Sequence, residues 1–579
     1  MPGQRTLPIS AEHREFTVKV DGKAVSREHQ LLSASVLKTV NRISSARLVY
    51  LDGAAANSDF TLSNAATFVP GREVEILAGA GDSPASLFKG VVVRQSIRVR
   101  EAGSSQLIVD CRHKAHRLTL GRRSAYYFDK LDSEIISSLL DSAGLQSDIA
   151  ETSVSHSQQV QFGSSDWDFL LARAEANGRF VFTNDEKVVV RAPQVSGKPV
   201  CSLQFGATLL ALDAQIDARN QRSSVKSTSW DPAQQAVIAK EGAAPGVSGP
   251  GNLSCEDLAD AAGADTFELR HVSLGEEEAQ AWADAAMLKS QLSKVSGCAK
   301  CEGIGTINPG DLVTLDGVGE RFSGDVFVTG VRHDLGSQAW KTHVQFGGVD
   351  AWATEDRNVS TPKAGALLPA VQGLQIGTVV SNEDNDGEHR VRVKLPLVNS
   401  TEDGIWARVA SLDAGAERGF FFRPEIGDEV VVGFLDEDPR HAVILGMLHS
   451  SAKAAPIPGS DDNHEKVFQS RSKMRLYFND DTKVMRFETP AGNKITLSED
   501  AKTVKIEDQN GNKIEMTDEG IKLEAAKALA LKAGTEIKIE SGTALGVKGG
   551  TELKIEGSAG VEVSSSALTK IKGSMIHLN

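Results

Sequence analysis

From residue 519 the chain can be cut into eights: EGIKLEAA, KALALKAG, TEIKIESG, TALGVKGG, TELKIEGS, AGVEVSSS and ALTKIKGS. Apolar residues hold the third and fifth places through most of the run: Ile521 and Leu523, Leu529 and Leu531, Ile537 and Ile539, Leu545 and Val547, Leu553 and Ile555, Val561 and Val563. Lys and Glu flank them, and small residues close most units. A fixed short period with two inward side chains per unit is a β-helix pattern. Upstream, Ile495, Leu497, Val504, Ile506, Ile514 and Met516 show the same paired alternation on looser spacing. A lone ribbon of this kind cannot fold. Its two apolar side chains per unit are worth roughly 1.5–3 kcal/mol each when buried, against roughly 1–2 kcal/mol of backbone entropy for every residue ordered. Three identical chains wound together would close the core, pair the strand edges and leave Lys and Glu in water. A single-chain β-helix with longer coils, each holding a core of its own, is not the pattern here. The expectation is an intertwined trimeric β-helix over 481–579 in a homotrimer, with those twelve residues as its core.

The remainder, within 579 residues, is long enough for several domains. Aromatics make up 5% and glycines number 53, and Val and Ile recur in short alternating runs, which favours β structure. A formal charge of −14 argues against a general binder of nucleic acid or anionic membrane. The opening MPGQRTLPISAEHREF has no apolar core for a signal peptide, and no long apolar run follows, so synthesis in the cytosol without a helical membrane span is expected. Five cysteines suit a reducing compartment. Cys298 and Cys301, spaced CAKC, read as two thiols in a turn before a strand, and Cys111, His113 and His116 in CRHKAHRL read as structural. No cofactor is expected.

An internal echo points to two related β-barrels. FVPGREVEIL followed by LFKGVVV (68–93) matches INPGDLVTLDG followed by RFSGDVFV (307–328). Each has Pro-Gly opening an alternating strand (Val74, Ile76; Val313, Leu315), then Phe-x-Gly (Phe88 to Gly90; Phe322 to Gly324) opening another. Three helices lie between or beside these units. One is capped by Asp132 or Ser133, carries Ile135, Ile136, Leu139 and Leu140, and stops at Gly144. The second is capped by Ser165 or Asp166, with Trp167, Leu170, Leu171 and Ala174 inward and Gly178 at its end. The third opens with Ser273 and Glu276 at capping-box spacing and carries Ala281, Ala285, Leu288, Leu292 and Val295 on one face. Residues 242–254 read as a surface loop.

The stretches QQVQFGSSDWDFLLARAEANGRF, VKSTSWDPAQQ and EGIGTINPGDLVTLDGVGERFSGDVFVTGVRHDL resemble the hub of the valine-glycine-repeat (VgrG) family. That family includes type VI secretion spikes, phage-tail hubs and spikes, and the spikes of extracellular contractile injection particles. After a linker (354–373), IGTVVSNEDNDGEHRVRVKLPLV reads as a hairpin turning at Asp386-Gly387, with Val391, Val393, Leu395 and Leu397 alternating with Arg390, Arg392 and Lys394. With RPEIGDEVVVGFLDEDPRHAVILG it resembles the family's OB-fold (374–450), in which burial is the simpler account of Phe420 to Phe422 and no nucleic-acid partner is expected.

The resemblance implies a mainly β chain with an α/β insertion. Its parts are barrel one (1–120), the insertion (121–200), barrel two with a helix (201–353), the OB domain, a second linker (451–480) and the needle. It implies a hub that adapts a three-fold needle to a six-fold tube, contacts inner-tube and baseplate proteins, and transmits the sheath's work to a puncturing tip. Ile576, His577 and Leu578 at the blunt end would meet a PAAR-like cap. His577 is a candidate metal ligand, but it lacks the His-x-His pair that some relatives use for iron. Residues 451–480 are too short for the cell-wall lysozyme that some phage relatives insert there, and no hydrolase or nucleotide motif occurs, so no enzyme is expected. The needle has no aromatic platform of a carbohydrate-binding β-helix after residue 490. The chain ends soon after the last repeat, so no fused effector is expected, and REHQLLSASVLKTVNRISSARLVYLDG points to the extracellular branch.

Overall fold

A computed structural model describes residues 15–79, 84–101, 103–243, 245–247, 249–263, 266–336, 339–348, 350–356, 359–401 and 403–578. The opening residues 1–14, read above for a signal peptide, lie outside them. The chain divides into two compact units, 1–372 with 434–441, and 373–433 with 442–579. No helix among the described residues is long and apolar enough to cross a membrane.

The first unit is built on one 13-stranded sheet. Strands Leu31–Thr39, Ser45–Leu51, Glu73–Gly79, Ala85–Arg98 and Gln106–Arg112 enclose one core, with Val36, Leu48, Phe68, Phe88 and Leu107 inside. Strands Leu209–Ile216, Val295–Glu302, Leu312–Asp316, Gly324–Gly336 and Trp340–Phe346 enclose a second, with Leu203, Val313, Val328, Val344 and Phe346. The two lobes are joined where Leu31–Thr39 pairs antiparallel with Gly324–Gly336. Two separate barrels were expected; among the described residues the lobes share one sheet, because the long strand Gly324–Gly336 has partners along both edges.

The five strands named in each lobe pair in the same order. Gly71 N–H donates to Val92 O and Val92 N–H to Arg72 O; likewise Gly310 N–H donates to Val328 O and Val328 N–H to Asp311 O. Gly71 (φ 99°) and Gly310 (φ 96°) hold the left-handed turns this needs. A register shift follows in each lobe, between Val92 and Arg94 and between Val328 and Gly330. The Phe-x-Gly echo is corrected. Gly90 lies mid-strand opposite Val74, the place taken by Val326 opposite Val313, so Gly90 and Gly324 are not equivalent.

The insertion packs helices Asp132–Ser142 and Asp166–Ala176 on strands Gln146–Ile149, Lys187–Arg191 and Phe180–Asn184, with Trp167, Ile136, Leu140 and Leu170 buried. Ser165 caps its helix, accepting from Asp168 N–H at 3.1 Å. The other expected cap is corrected: Leu131 is the N-cap, and its N–H donates to Glu134 Oε2 at 2.9 Å. Helix Glu276–Leu292 begins after Gly275 without a side-chain cap, so Ser273 and Glu276 form no capping box. Its buried face runs through Ala279, Ala283, Ala285, Met287 and Leu292, while Val295 opens the next strand. A fourth helix, Cys255–Ala262, starts at the end of the expected loop 242–254, where Ser254 forms a capping box with Asp257. The expected linker 354–373 holds part of a short helix, Ala353–Asp356, and a 3-10 turn, Lys363–Ala366.

In the second unit, Gln375–Ser381, Val391–Lys394, Ile405–Val409, Ala442–Met447 and Glu429–Phe434 close a five-stranded barrel. Val379, Val391, Val393, Val430 and Ile444 fill it. The strand stops at Lys394, so Leu397, expected in the alternation, is exposed. Strands Glu465–Gln469 and Arg475–Asn479, expected as linker, open a seven-stranded antiparallel meander that ends at Gly520–Glu524, so the β-helix expected from residue 481 is, as far as Glu524, a sheet in which each strand turns back on the one before it.

Candidate functional site

Each five-residue strand of the meander turns its second and fourth residues to one face. Cross-strand pairing lines these up as two rows. One row is Phe468, Leu476, Phe487, Ile495, Ile506, Ile514 and Leu523; the other is Lys466, Phe478, Met485, Leu497, Val504, Met516 and Ile521. Lys466, at the edge, is the single polar residue among them. The opposite face is laced by polar contacts, among them Tyr477 Oη to Glu465 at 2.6 Å, Arg486 over the Tyr477 ring at 4.8 Å, and Lys505 with Glu507 at 2.8 Å. Left-handed turns between strands are held by Gly492 and Gly511 and also by Lys473, Lys483 and Lys502. Leu476, Phe478, Met485 and Phe487 were missed as members of these rows, although RLYFN and VMRFE carry the same period of two as the strands downstream.

Among the described residues the apolar rows are left partly open: Leu476, Phe478, Met485 and Ile514 are half-buried. Phe487, Ile495, Leu497, Val504, Ile506 and Met516 are each about two-fifths exposed. The octad residues Ile521, Leu523, Leu529, Leu531, Ile537, Ile539, Leu545, Val547, Leu553, Ile555, Val561 and Val563 are all more than half exposed. Beyond Glu524 no described residue belongs to a strand paired within the chain. Lys538 with Glu540 and Lys554 with Glu556 form ion pairs between alternate residues there. Ile576, His577 and Leu578 are exposed at the end.

Phe420, Phe421 and Phe422 differ from expectation: they are 49%, 72% and 66% exposed. The small hairpin pairing Ala414–Gly415 with Arg418–Gly419 carries them off the barrel wall. The Phe422 ring lies 6.3 Å from that of Phe468, the first aromatic of the apolar rows, so the uncovered surface runs on into the barrel. Two of the barrel's basic residues are already engaged: Arg390 pairs with Asp384 and Asp386, Arg392 with Asp403, and both lie 5.6 Å from the Trp406 ring.

The sequence's metal-like groups separate. Cys298 and Cys301 sit in a strand, not a turn, and face opposite sides of it. Burial pushes the Cys301 thiol up to about 12, and the Cys111 thiol likewise to about 12. His113 is buried, with Nδ1 accepting from Ala115 N–H and Nε2 donating to Asn184 O, both at 3.1 Å. Burial holds its imidazole down near about 4. No group of three or more His, Cys, Asp or Glu among the described residues is placed to hold a metal.

Residues 375–449 match the family described as the type VI secretion system/phage-baseplate injector OB domain, and 484–579 match the phage baseplate V C-terminal trimerisation domain. Residues 10–337 match the Alg8 N-terminal domain family. The chain is 30% identical over 122 residues to the type VI secretion system spike protein VgrG3 of Vibrio cholerae, covering 19% of this chain and 12% of that one. It is 32% identical over 120 residues to the actin cross-linking toxin VgrG1 of the same species, covering 19% and 11%. An Escherichia coli component of the type VI secretion system, described as similar to T4 tail proteins gp27 and gp5, superposes with a TM-score of 0.37 at 12% identity, over 74% of this chain and 99% of that one. The match to a trimerisation domain implies a homotrimer. Matched over more than half its length, the chain belongs to the Alg8 N-terminal domain family, and through its OB and trimerisation domains to the structural spike family of phage baseplates and type VI secretion systems.

Proposed function

We propose that this chain is the central hub and spike of a contractile, phage-tail-like injection particle, and that it works mechanically, with no bond made or broken. The observation that carries this reading is the two-row apolar face of the meander, partly open in the single chain and continued by the octads. Three copies bury those rows against one another, so Ile521 to Val563 become the core of a narrow prism. The repeated lobes supply the adaptor: two per chain give six around the axis, the count that a six-fold tube above a three-fold needle requires. Contacts with inner-tube and baseplate proteins fall on the hub, and a PAAR-like cap meets Ile576, His577 and Leu578. His577 recurs three times at that tip. The chain is made in the cytoplasm and carried on a particle released from the cell.

The type VI spike is the second reading, favoured by the name of the relative matched at 30% identity. Electron microscopy of particles purified from culture supernatant separates the two. Free sheathed tubes carrying this chain at one end are expected. Its recovery only from cell-bound machines would select the type VI reading, and a folded 61.7 kDa monomer in light scattering would remove both.

A further inference from the structure

The equivalence of the two lobes, carried to single residues, leaves one join unmade. Within the chain, Gly324–Gly336 is flanked on one edge by Trp340–Phe346, and from Gly330 onward its other edge pairs with Leu31–Thr39. In that join Val331, His333 and Leu335 face Lys38, Val36 and Ala34, all buried, while Asp334 faces Ser35 on the other side of the sheet. The Ser35 hydroxyl donates to Asp334 Oδ1 there at 3.0 Å.

The matching strand of the first lobe is Ala85–Arg98. It pairs with Gln106–Arg112 on one edge, and Glu73–Gly79 covers the other edge only as far as Val91. Past the Gly71 and Arg72 contacts of Val92, no strand among the described residues lies beside the edge at Arg94–Arg98, where the Gln95 side chain donates to Ser63 O at 2.8 Å. The strand matching Leu31–Thr39 in the second lobe is Leu209–Ile216, which ends the sheet and, apart from a single bridge from Leu209 to Phe205, pairs among the described strands with Val295–Glu302 alone. Each lobe thus carries the half of the join that the other lobe uses.

We infer that the free edge Arg94–Arg98 of one chain pairs antiparallel with the free edge strand Leu209–Ile216 of a second copy, with Ile97 opposite the partner's Ala214 and Arg98 opposite the partner's Asp213. This rests on the trimeric reading above. The register comes from equivalence: the shifts at Val92/Arg94 and Val328/Gly330 superpose Ile97 on His333 and Arg98 on Asp334. In the same way Ala214 superposes on Val36 and Asp213 on Ser35.

Two properties that played no part in fixing that register then agree with it. On the inward side, Ile97 and Val99, 53% and 64% exposed in the single chain, meet Ala214 and Leu212, which pack on the second lobe's core. On the outward side, Arg98 meets Asp213 and Arg94 meets Asp217, cation against carboxylate at both places. Arg98 and Asp213 are exposed and in no ion pair among the described residues, whereas Asp217 holds Arg219 at 2.6 Å and Arg94 lies 3.5 Å from Asp110. A slip of one residue would set Ile97 against the outward-facing Asp213 or Gln215 and break both agreements. The other end of the sheet, Lys23–Ala24, is two residues long and offers no comparable edge. Because the contact is heterologous, three such joins and three internal ones alternate and close one ring of six lobes.

The test is a disulfide trap in the full chain, in a Cys298→Ser background so that the half-exposed thiol beside Asp213 cannot compete. Ile97→Cys with Ala214→Cys should give a reductant-sensitive covalent trimer on oxidation. Ile97→Cys with Gln215→Cys, on opposite faces in this register, should give at least about tenfold less. Hydrogen exchange on the unaltered trimer is the second measurement, with slow exchange expected for outward-facing amides of Arg94–Arg98 and Leu209–Ile216. A trimer by mass that shows equal or no linking from the two pairs, or fast exchange at both edges, overturns the join and leaves the needle reading standing. A monomer by mass instead removes the trimeric reading itself.

Discussion

Arg173 grips Asp132 with two hydrogen bonds, Nε to Oδ1 at 2.6 Å and Nη2 to Oδ2 at 2.9 Å, and its Nη2 also reaches Glu278 Oε1 at 3.2 Å. Asn177 Nδ2 and His156 Nε2 complete the set around Asp132, at 2.8 and 3.0 Å. Burial pushes the Asp132 carboxyl up, but the hydrogen bonds from His156 and Arg173 outweigh it and hold the group well below the usual carboxylate range. Helices Asp132–Ser142, Asp166–Ala176 and Glu276–Leu292 are thereby tied through one buried charge group. Asp132→Ala leaves the guanidinium buried without its main partner, and a loss of about 3–5 kcal/mol in hub stability is expected. Asp141→Ala, at an exposed site of the same helix, should cost under about 1 kcal/mol. Urea denaturation of the two variants checks the difference.

Acid should loosen the hub before it protonates Asp132. Burial holds His113 near about 4 and His333 near about 3, against an unfolded value of about 6.5. The unfolded chain binds these protons first as pH falls, so the stability from keeping both rings neutral is fully present above about 6.5 and is lost as pH falls towards the folded values. The hub's melting temperature is expected to drop between pH 6.5 and 4, and His113→Gln should flatten part of that slope. An unchanged slope in the variant would count against the assignment.

In the needle, Ile539→Asp places three carboxylates near one axis, a burial of unpaired charge far costlier than a lost methyl group. Lys538, exposed and paired among the described residues with Glu540, should tolerate Glu with a change of at most about 1 kcal/mol. The Asp variant is expected to lose the heat- and detergent-resistant trimer band on gels, and the Glu variant to keep it. Equal resistance in both would show that the proposed faces are assigned wrongly.

The aromatic surface from Phe420 to Phe468 should behave as part of the same interface. Phe422→Ser, which removes the ring 6.3 Å from Phe468, is expected to lower the temperature at which the trimer dissociates. Arg418→Ala on the neighbouring hairpin, two-thirds exposed, should leave it within error. Differential scanning fluorimetry paired with light scattering reads both.

How much of this was legible in the sequence depends on how local each feature is. The octads, the alternation at Val391 and Val393, the Ser165 cap and the Pro-Gly turns at Gly71 and Gly310 are written in residues a few positions apart, where periodicity and backbone preference speak directly. Only the tertiary structure decided that Leu31–Thr39 pairs with Gly324–Gly336, which makes one sheet of two lobes, since that contact joins segments far apart in the chain. It also moved Phe420 to Phe422 from the barrel interior to the surface, because a hairpin of four paired residues redirects them. And it extended the apolar rows back to Phe468, since membership of a sheet face is fixed by the cross-strand partner and not by the strand's own composition. Sequence period sets which side chains share a face, and pairing between distant strands sets what that face meets.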